Sequence, residues 1–223
     1  MAIYFNEDYL NFFKELAPNN HKDWFDENRQ RYYKSIKEPF EDFVTSLIEE
    51  VQKRDSSIQI TYKDAIFRIN RDIRFSKNKE PYKLNRSAII SPNGRKDKAF
   101  PGLYIEAGPE HYRVYGGVYQ PNKDQLYDIR ESIAKNAGKF KKLIEDKRFV
   151  DLYGEVRGDK NKILPKEFKA QAEETPLIFN KQFYWFTEFE PEILESKDLM
   201  DVTLKAYEAG KPLMDFFIKA MYR

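Results

Sequence analysis

Arg68, Arg71, Arg74, Lys77, Lys79 and Lys83 crowd into one short run, F-R-I-N-R-D-I-R-F-S-K-N-K-E-P-Y-K, between Phe67 and Lys83. Asp72 and Glu80 are its only acids, whereas the whole chain balances 39 basic against 37 acidic side chains. Guanidinium groups on an ordered backbone grip phosphates and carboxylates because their donors form a fixed fork. The chemistry this points to is an anion site. Arg68, Arg71, Arg74, Lys77, Lys79 and Lys83 form the grip, and Asp72 orients the arginines. Tyr82 offers a hydroxyl or a stacking face. Were the chain an enzyme, the arginines would act by electrostatic stabilisation, with Asp72 or Tyr82 as the proton-transfer candidates.

Period-two spacing reads Phe67–Ile69–Arg71–Ile73–Phe75 as the buried face of a strand, with Arg68, Asn70, Asp72 and Arg74 on the other. Arg71 then points into the core, where an unpaired guanidinium is too costly to persist. It needs a carboxylate, a bulge or a ligand. The residues alone leave a structural alternative open, an R-D-x-R ion-pair network that fixes the fold. Ser76 to Lys83 reads as a loop, with Pro81 holding Tyr82 and Lys83 rigidly.

Other candidates are sparser. Gly116-Gly117 follows a predicted strand and permits close approach of a ligand or another backbone. His21 and His111 lack metal-ligand spacing, and Asp64, Asp72 and Glu106 could meet around a divalent cation only if the fold gathered them, so no metal and no cofactor is expected. There is no G-x-S-x-G, no phosphate-binding P-loop and no G-x-G-x-x-G. Tyr62, Tyr82, Tyr104, Tyr112, Tyr115 and Tyr119 interleave with basic residues, the pattern of a single-strand nucleic-acid binder. They equally suit a tyrosine-rich core.

Composition narrows the classes. The 223 residues contain no cysteine, which excludes disulfides and thiolate chemistry and fits a reducing cytoplasm. A net charge of +2 is small for a protein that coats nucleic acid. No apolar run approaches the roughly 20 residues needed to span a bilayer, and the N-terminus lacks a signal-peptide pattern. Asn85-Arg86-Ser87 reads only as a sequon with no secretory context.

The elements that would position these residues alternate in period. Asn6 and Asn20 are candidate N-caps, Tyr9, Phe12, Phe13 and Leu16 form one helical face, and Phe40 to Val51 carry a 3.6-residue stripe. Ile58-Ile60-Tyr62, the Phe67 run, Gly102–Glu106, Tyr112–Tyr115 and Phe183–Phe186 read as strands. Helices return after Pro121, with Gly138 as a C′ residue, and a closing helix breaks at Gly210-Lys211-Pro212. The expectation is one α+β domain over 1–223, an antiparallel meander packed against N- and C-terminal helices.

Asn19-Asn20, Trp24-Phe25, Phe67-Arg68, Arg71-Asp72, Arg74-Phe75-Ser76-Lys77, Lys79, Pro81-Tyr82-Lys83, Gly116-Gly117 and the helix carrying Leu126 and Arg130 together resemble an uncharacterised bacterial and fungal family, domain of unknown function 2461. Asn78 departs from it, standing where an acid is expected. The resemblance implies a single family-wide domain and carries no activity with it. Function is therefore expected to be binding of a phosphate- or carboxylate-bearing small molecule. A nucleic-acid module or a structural interaction protein is the alternative.

Overall fold

Asn6 starts the first helix by accepting from the Asp8 amide at 3.1 Å, and Glu7 and Asp8 sit where the helix dipole favours acids. The computed structural model describes residues 2–222. Helix α1 (Glu7–Leu16) buries Tyr9, Leu10, Phe12, Phe13 and Leu16. Helices α2 (Lys22–Glu27) and α3 (Arg29–Arg31) lead through a π-helical turn, Tyr32–Lys37, into α4 (Glu38–Gln52). Pro39 stands in the first turn of α4, where its missing N–H is harmless. The stripe Phe40, Phe43, Val44, Leu47, Ile48 and Val51 is buried along its whole length, as the spacing predicts. Alternation at Ile58-Ile60-Tyr62 predicts a strand, but residues 58–61 are irregular and Tyr62 opens a short helix, α5 (Tyr62–Ala65). Thr61 and Asp64 close a capping box there, and that local bonding overrides the two-residue pattern.

Strands β1 (Arg86–Ile90), β2 (Leu103–Ala107), β3 (Tyr112–Val118) and β4 (Phe183–Phe189) form an antiparallel sheet in that order, so the chain is an α+β meander. Between β3 and β4 lie α6 (Lys123–Lys135), α7 (Ala137–Ile144) and α8 (Lys147–Tyr153), then short 3-10 turns. Helix α9 (Leu199–Met221) closes the fold. Among the described residues no helix is long and apolar enough to cross a membrane.

The chain divides into two compact units. The first takes the residues up to Arg95 with Tyr104–Arg113 and Glu188–Leu204. Its core is aromatic: Phe5 meets Tyr9 at 4.5 Å and Phe43 at 5.6 Å between ring centroids, and the Tyr112 hydroxyl bonds Thr203 at 2.6 Å. The second takes Lys96–Leu103, Val114–Thr187 and the chain from Lys205 onward. It is built around Trp185, which Phe149 approaches edge-on at 5.3 Å.

Four further sequence expectations need correction. Phe67–Phe75 is not a strand. Only isolated bridges, Ile66 with Ala88 and Asn70 with Tyr82, tie this stretch to the returning chain, and Phe75 is 95% exposed. The run turns away at Ile73, whose carbonyl accepts from the Ser76 amide at 3.3 Å. Asn20 does not cap α2; His21 does, while Asn20 pins Tyr82 by accepting from its amide at 3.1 Å and donating to its carbonyl at 3.0 Å. Gly138 is the second residue of α7, in its first turn, and not a C′ residue. Helix α9 runs through Pro212 without ending, with Gly210 held against the Trp185 indole.

Gly117 has φ +110, and an added Cβ would stand 2.1 Å from the Phe183 carbonyl oxygen. Gly138 has nothing within 4 Å of that position. We expect Gly138→Ala to stabilise the chain by up to about 1 kcal/mol through helix propensity. Gly117→Ala should destabilise by more than about 2 kcal/mol. Denaturant melts of both variants check the pair; equal effects would contradict it.

Tyr9 is fully buried and donates to the Ala107 carbonyl at 3.3 Å. Burial pushes its phenol far above the ordinary value, only partly opposed by the Arg86 charge. The unfolded chain therefore releases this proton near pH 10 while the folded chain keeps it. Stability is fully present below that pH and falls as pH rises above it, by about 1.4 kcal/mol per pH unit for one such phenol. Denaturant titrations between pH 9 and 11 should show a shallower decline in Tyr9→Phe than in the parent.

Candidate functional site

Strand β1 begins with a charge. Alternation places Arg86, Ala88 and Ile90 on one face, and all three are buried, Arg86 at only 4% exposure. Its guanidinium lies over the ring of Phe40 from α4, 5.5 Å from the centroid. A cation–π contact of this kind recovers part of the lost hydration. Its Nε has no hydrogen-bond partner, and among the described residues no carboxylate pairs with it.

The second unit shows how this protein treats a buried arginine with a structural task. Arg130 of α6 is 6% exposed, donates from Nε to the Ile178 carbonyl at 2.9 Å, and from Nη2 to the Asn180 carbonyl at 3.1 Å. Burial lowers its pKa from the ordinary arginine value. Two backbone carbonyls hold Arg130, whereas the Arg86 Nε has no partner.

Arg86 lines a cleft of about 550 Å³ that lies wholly within the first unit. Helix α4 contributes Glu41, α5 contributes Tyr62 and Lys63, the following chain Ile66, Phe67 and Arg68, and the turn after β1 Arg95. Phe67 donates its amide to the Ser87 carbonyl at 2.9 Å, which holds this wall beside β1. Gly94, at φ +54, lets the turn press against the Asp64 carbonyl, where a Cβ would come within 2.5 Å. That approach lets the Arg95 Nη1 donate to the carbonyls of Lys63 and, at 2.8 Å, of Ile66. Four cations thus face one carboxylate, and Glu41 is already bridged to Lys37 at 3.0 Å.

Of the basic run, only Arg68 reaches this cleft. Arg71 bonds the Glu80 carbonyl at 3.2 Å and its carboxylate at 3.4 Å, but its side chain is part-exposed and does not point into the core, because the alternating stretch that would turn it inward is not a strand. Arg74 is held by Asp72 at 2.7 Å, and Lys79 donates to the Ile73 carbonyl at 3.0 Å. Lys77 is exposed, and Lys83 lies over the Phe67 ring at 5.4 Å. The Arg74 hydrogen bonds hold the Asp72 carboxyl down at about 2, which makes it a poor base near neutral pH. Tyr82 is buried and stacked on Phe25 at 4.0 Å, with its phenol pushed upward by burial. Its ring face is used by the core.

Gly116 and Gly117 line no part of the cleft. They belong to β3 in the second unit, where Gly116 makes room for the Trp185 indole at a distance a Cβ would reduce to 2.6 Å. Asp64 caps α5, Asp72 pairs with Arg74, and Glu106 accepts from Asn85 at 2.7 Å. No group of three or more His, Asp or Glu among the described residues is placed to hold a metal ion.

Sequence reasoning missed Arg86, Lys63 and Arg95. The signal for Arg86 was present in the alternation Arg86-Ala88-Ile90, a charge on an otherwise apolar face. Nothing local marks Lys63 or Arg95, which a turn and a one-turn helix bring together.

No curated protein and no solved structure matches the chain. A family model described as conserved hypothetical protein (DUF2461) matches residues 8–216, and with them nearly the whole chain. The protein belongs to the DUF2461 family.

Proposed function

We propose that the chain binds a phosphate- or carboxylate-bearing small molecule in the cleft of the first unit, with Arg86 at the base of the grip. Arg86 carries this reading. A buried guanidinium with an unpartnered Nε is a group whose hydrogen bonds are expected from outside the chain. Arg68, Lys63 and Arg95 supply further positive charge around it. The rest of the basic run, from Arg71 to Lys83, serves the fold in this reading, as the R-D-x-R network of ion pairs.

One observation favours a second reading. Phe75 stands 95% exposed with the Arg74 guanidinium 5.9 Å from its ring, an arrangement on which a nucleic-acid base could stack. That reading predicts oligonucleotide affinity that falls linearly with log salt and is lost in Phe75→Ala.

The two sites separate by mutation. A thermal-shift panel of phosphates and carboxylates at low salt should find ligands that move the parent by several degrees. A ligand at about 100 times its Kd stabilises by about 2.7 kcal/mol, and about 2–4 °C accompanies each kcal/mol at this size. Arg86→Met should abolish the shift and raise the stability of the ligand-free chain by about 1–4 kcal/mol, because an uncompensated buried charge is replaced by an apolar chain of similar length. Arg71→Ala should keep the ligand shift and lower stability by about 0–1 kcal/mol, as befits a partly exposed pair. An Arg86→Met protein that is less stable yet still binds would overturn the proposal.

A further inference from the structure

The cleft has a charge balance and a shape that say more than that an anion enters it. Lys63, Arg68, Arg86 and Arg95 all line it, and among the described residues none of the four is paired to a carboxylate. Their engagements are with rings and carbonyls: Lys63 lies 5.8 Å from the Tyr62 centroid, Arg86 over Phe40, and Arg95 on two backbone oxygens. These contacts stabilise the cations without bringing a counter-charge. Other cations in the same unit do meet carboxylates: Arg31 with Asp8 and Glu15, Arg54 with Glu50, Arg71 with Glu80, Arg74 with Asp72. Like charges gathered around one cleft repel, and a single carboxylate or monoanion would leave more of that repulsion in place than a polyanion would. Such a polyanion is a group with three or four negative charges spread over adjacent oxygens.

The volume points the same way. About 550 Å³ is far more than one phosphoryl group fills and falls in the range of organic ligand pockets. Beside the cations the lining is largely apolar: Ile66 is buried, while Tyr62 and Phe67 are half-buried and keep part of their surface for a visitor. Arg86 lies at the buried end and Lys63, Arg68 and Arg95 are exposed.

Resting on the reading of this cleft as an anion site, we infer that its ligand is an organic diphosphate or triphosphate. The phosphoryl chain runs from Arg86 out to Lys63, Arg68 and Arg95, and the flat or apolar remainder lies on Tyr62 and Phe67. The chemical class is that of nucleoside diphosphates and their relatives. Binding is non-covalent and involves no bond change.

Calorimetric titration of the full chain tests this at fixed ionic strength without divalent cations, using orthophosphate, pyrophosphate, AMP, ADP and a dicarboxylate. ADP should bind about tenfold or more tighter than AMP, the equivalent of one further charge-assisted hydrogen bond. ADP should also bind more tightly than pyrophosphate, an advantage that Phe67→Ala erases. Lys63→Gln and Arg68→Gln, both on exposed side chains that the fold does not need, should weaken ADP more than AMP. Equal affinities for ADP and AMP, or for ADP and pyrophosphate, would overturn the diphosphate inference while leaving anion binding at Arg86 intact. Binding that persists unchanged in Arg86→Met, or no binding of any of the five, would overturn the anion site itself and the inference with it.

Discussion

The first unit is organised around a guanidinium that has been taken out of water without being given a counter-charge. Removing such an ion from water costs several kcal/mol even after relaxation, so its surroundings must be held together by other means. The aromatic core does this. Phe40 lies under Arg86, and the same α4 stripe continues through Phe43, which meets Tyr4, Phe5 and Tyr112. The charge also reaches Tyr9 and Tyr32, where it partly opposes the upward push that burial gives both phenols. These large rings supply the burial that lets one position on β1 run against the hydrophobic effect.

Charge density along the chain and charge density in space turn out to be different things. The run from Arg71 to Glu80 is the most basic by eye, yet it ties itself off: Asp72 takes Arg74, Glu80 takes Arg71, and the Asn78 side chain braces Glu80 from both its amide and its carboxylate. Its internal bonds make a compact, self-sufficient turn with Phe75 at the outside. The cleft, by contrast, collects its cations from α5, from the chain after it, from β1 and from the turn at Gly94, and pairs none of them with an acid. The stronger uncompensated charge sits where the sequence shows only scattered basic residues.

Much of the architecture is legible in the residues for reasons that also explain the failures. The α1 and α4 stripes are long, strongly periodic and capped or Pro-started, so local and tertiary preferences agree. Strands β2 and β3 show clean alternation, and β4 announces itself through Phe183 and Trp185. Phe67 to Phe75 alternates just as well but lacks a partner strand beyond Asn70, and alternation without a ladder makes no strand. Strand β1 went unread because its first inward residue is an arginine, which looks like a loop residue until Ala88 and Ile90 are seen on the same face. Of the site, Arg68 was legible as part of a basic cluster. Arg95 was not, since its role depends on Gly94 permitting a backbone approach to Asp64 that no spacing rule encodes.

The manner in which the four cations are held bears on how the cleft would meet a ligand. Arg86 and Arg95 are fixed before anything arrives, one by burial against Phe40 and the other by two carbonyls, so they lose little freedom on binding. Lys63 and Arg68 are exposed and must be ordered by the ligand itself. Such a division concentrates affinity at the buried end and leaves the outer pair to discriminate by charge, because a flexible cation repays its ordering only against a group that carries charge of its own. A monoanion seated on Arg86 would leave Lys63 and Arg68 as free as before. Under the proposed reading of this cleft as an anion site, its distribution of rigidity suits an extended polyanion better than a monoanion, independently of the count of charges.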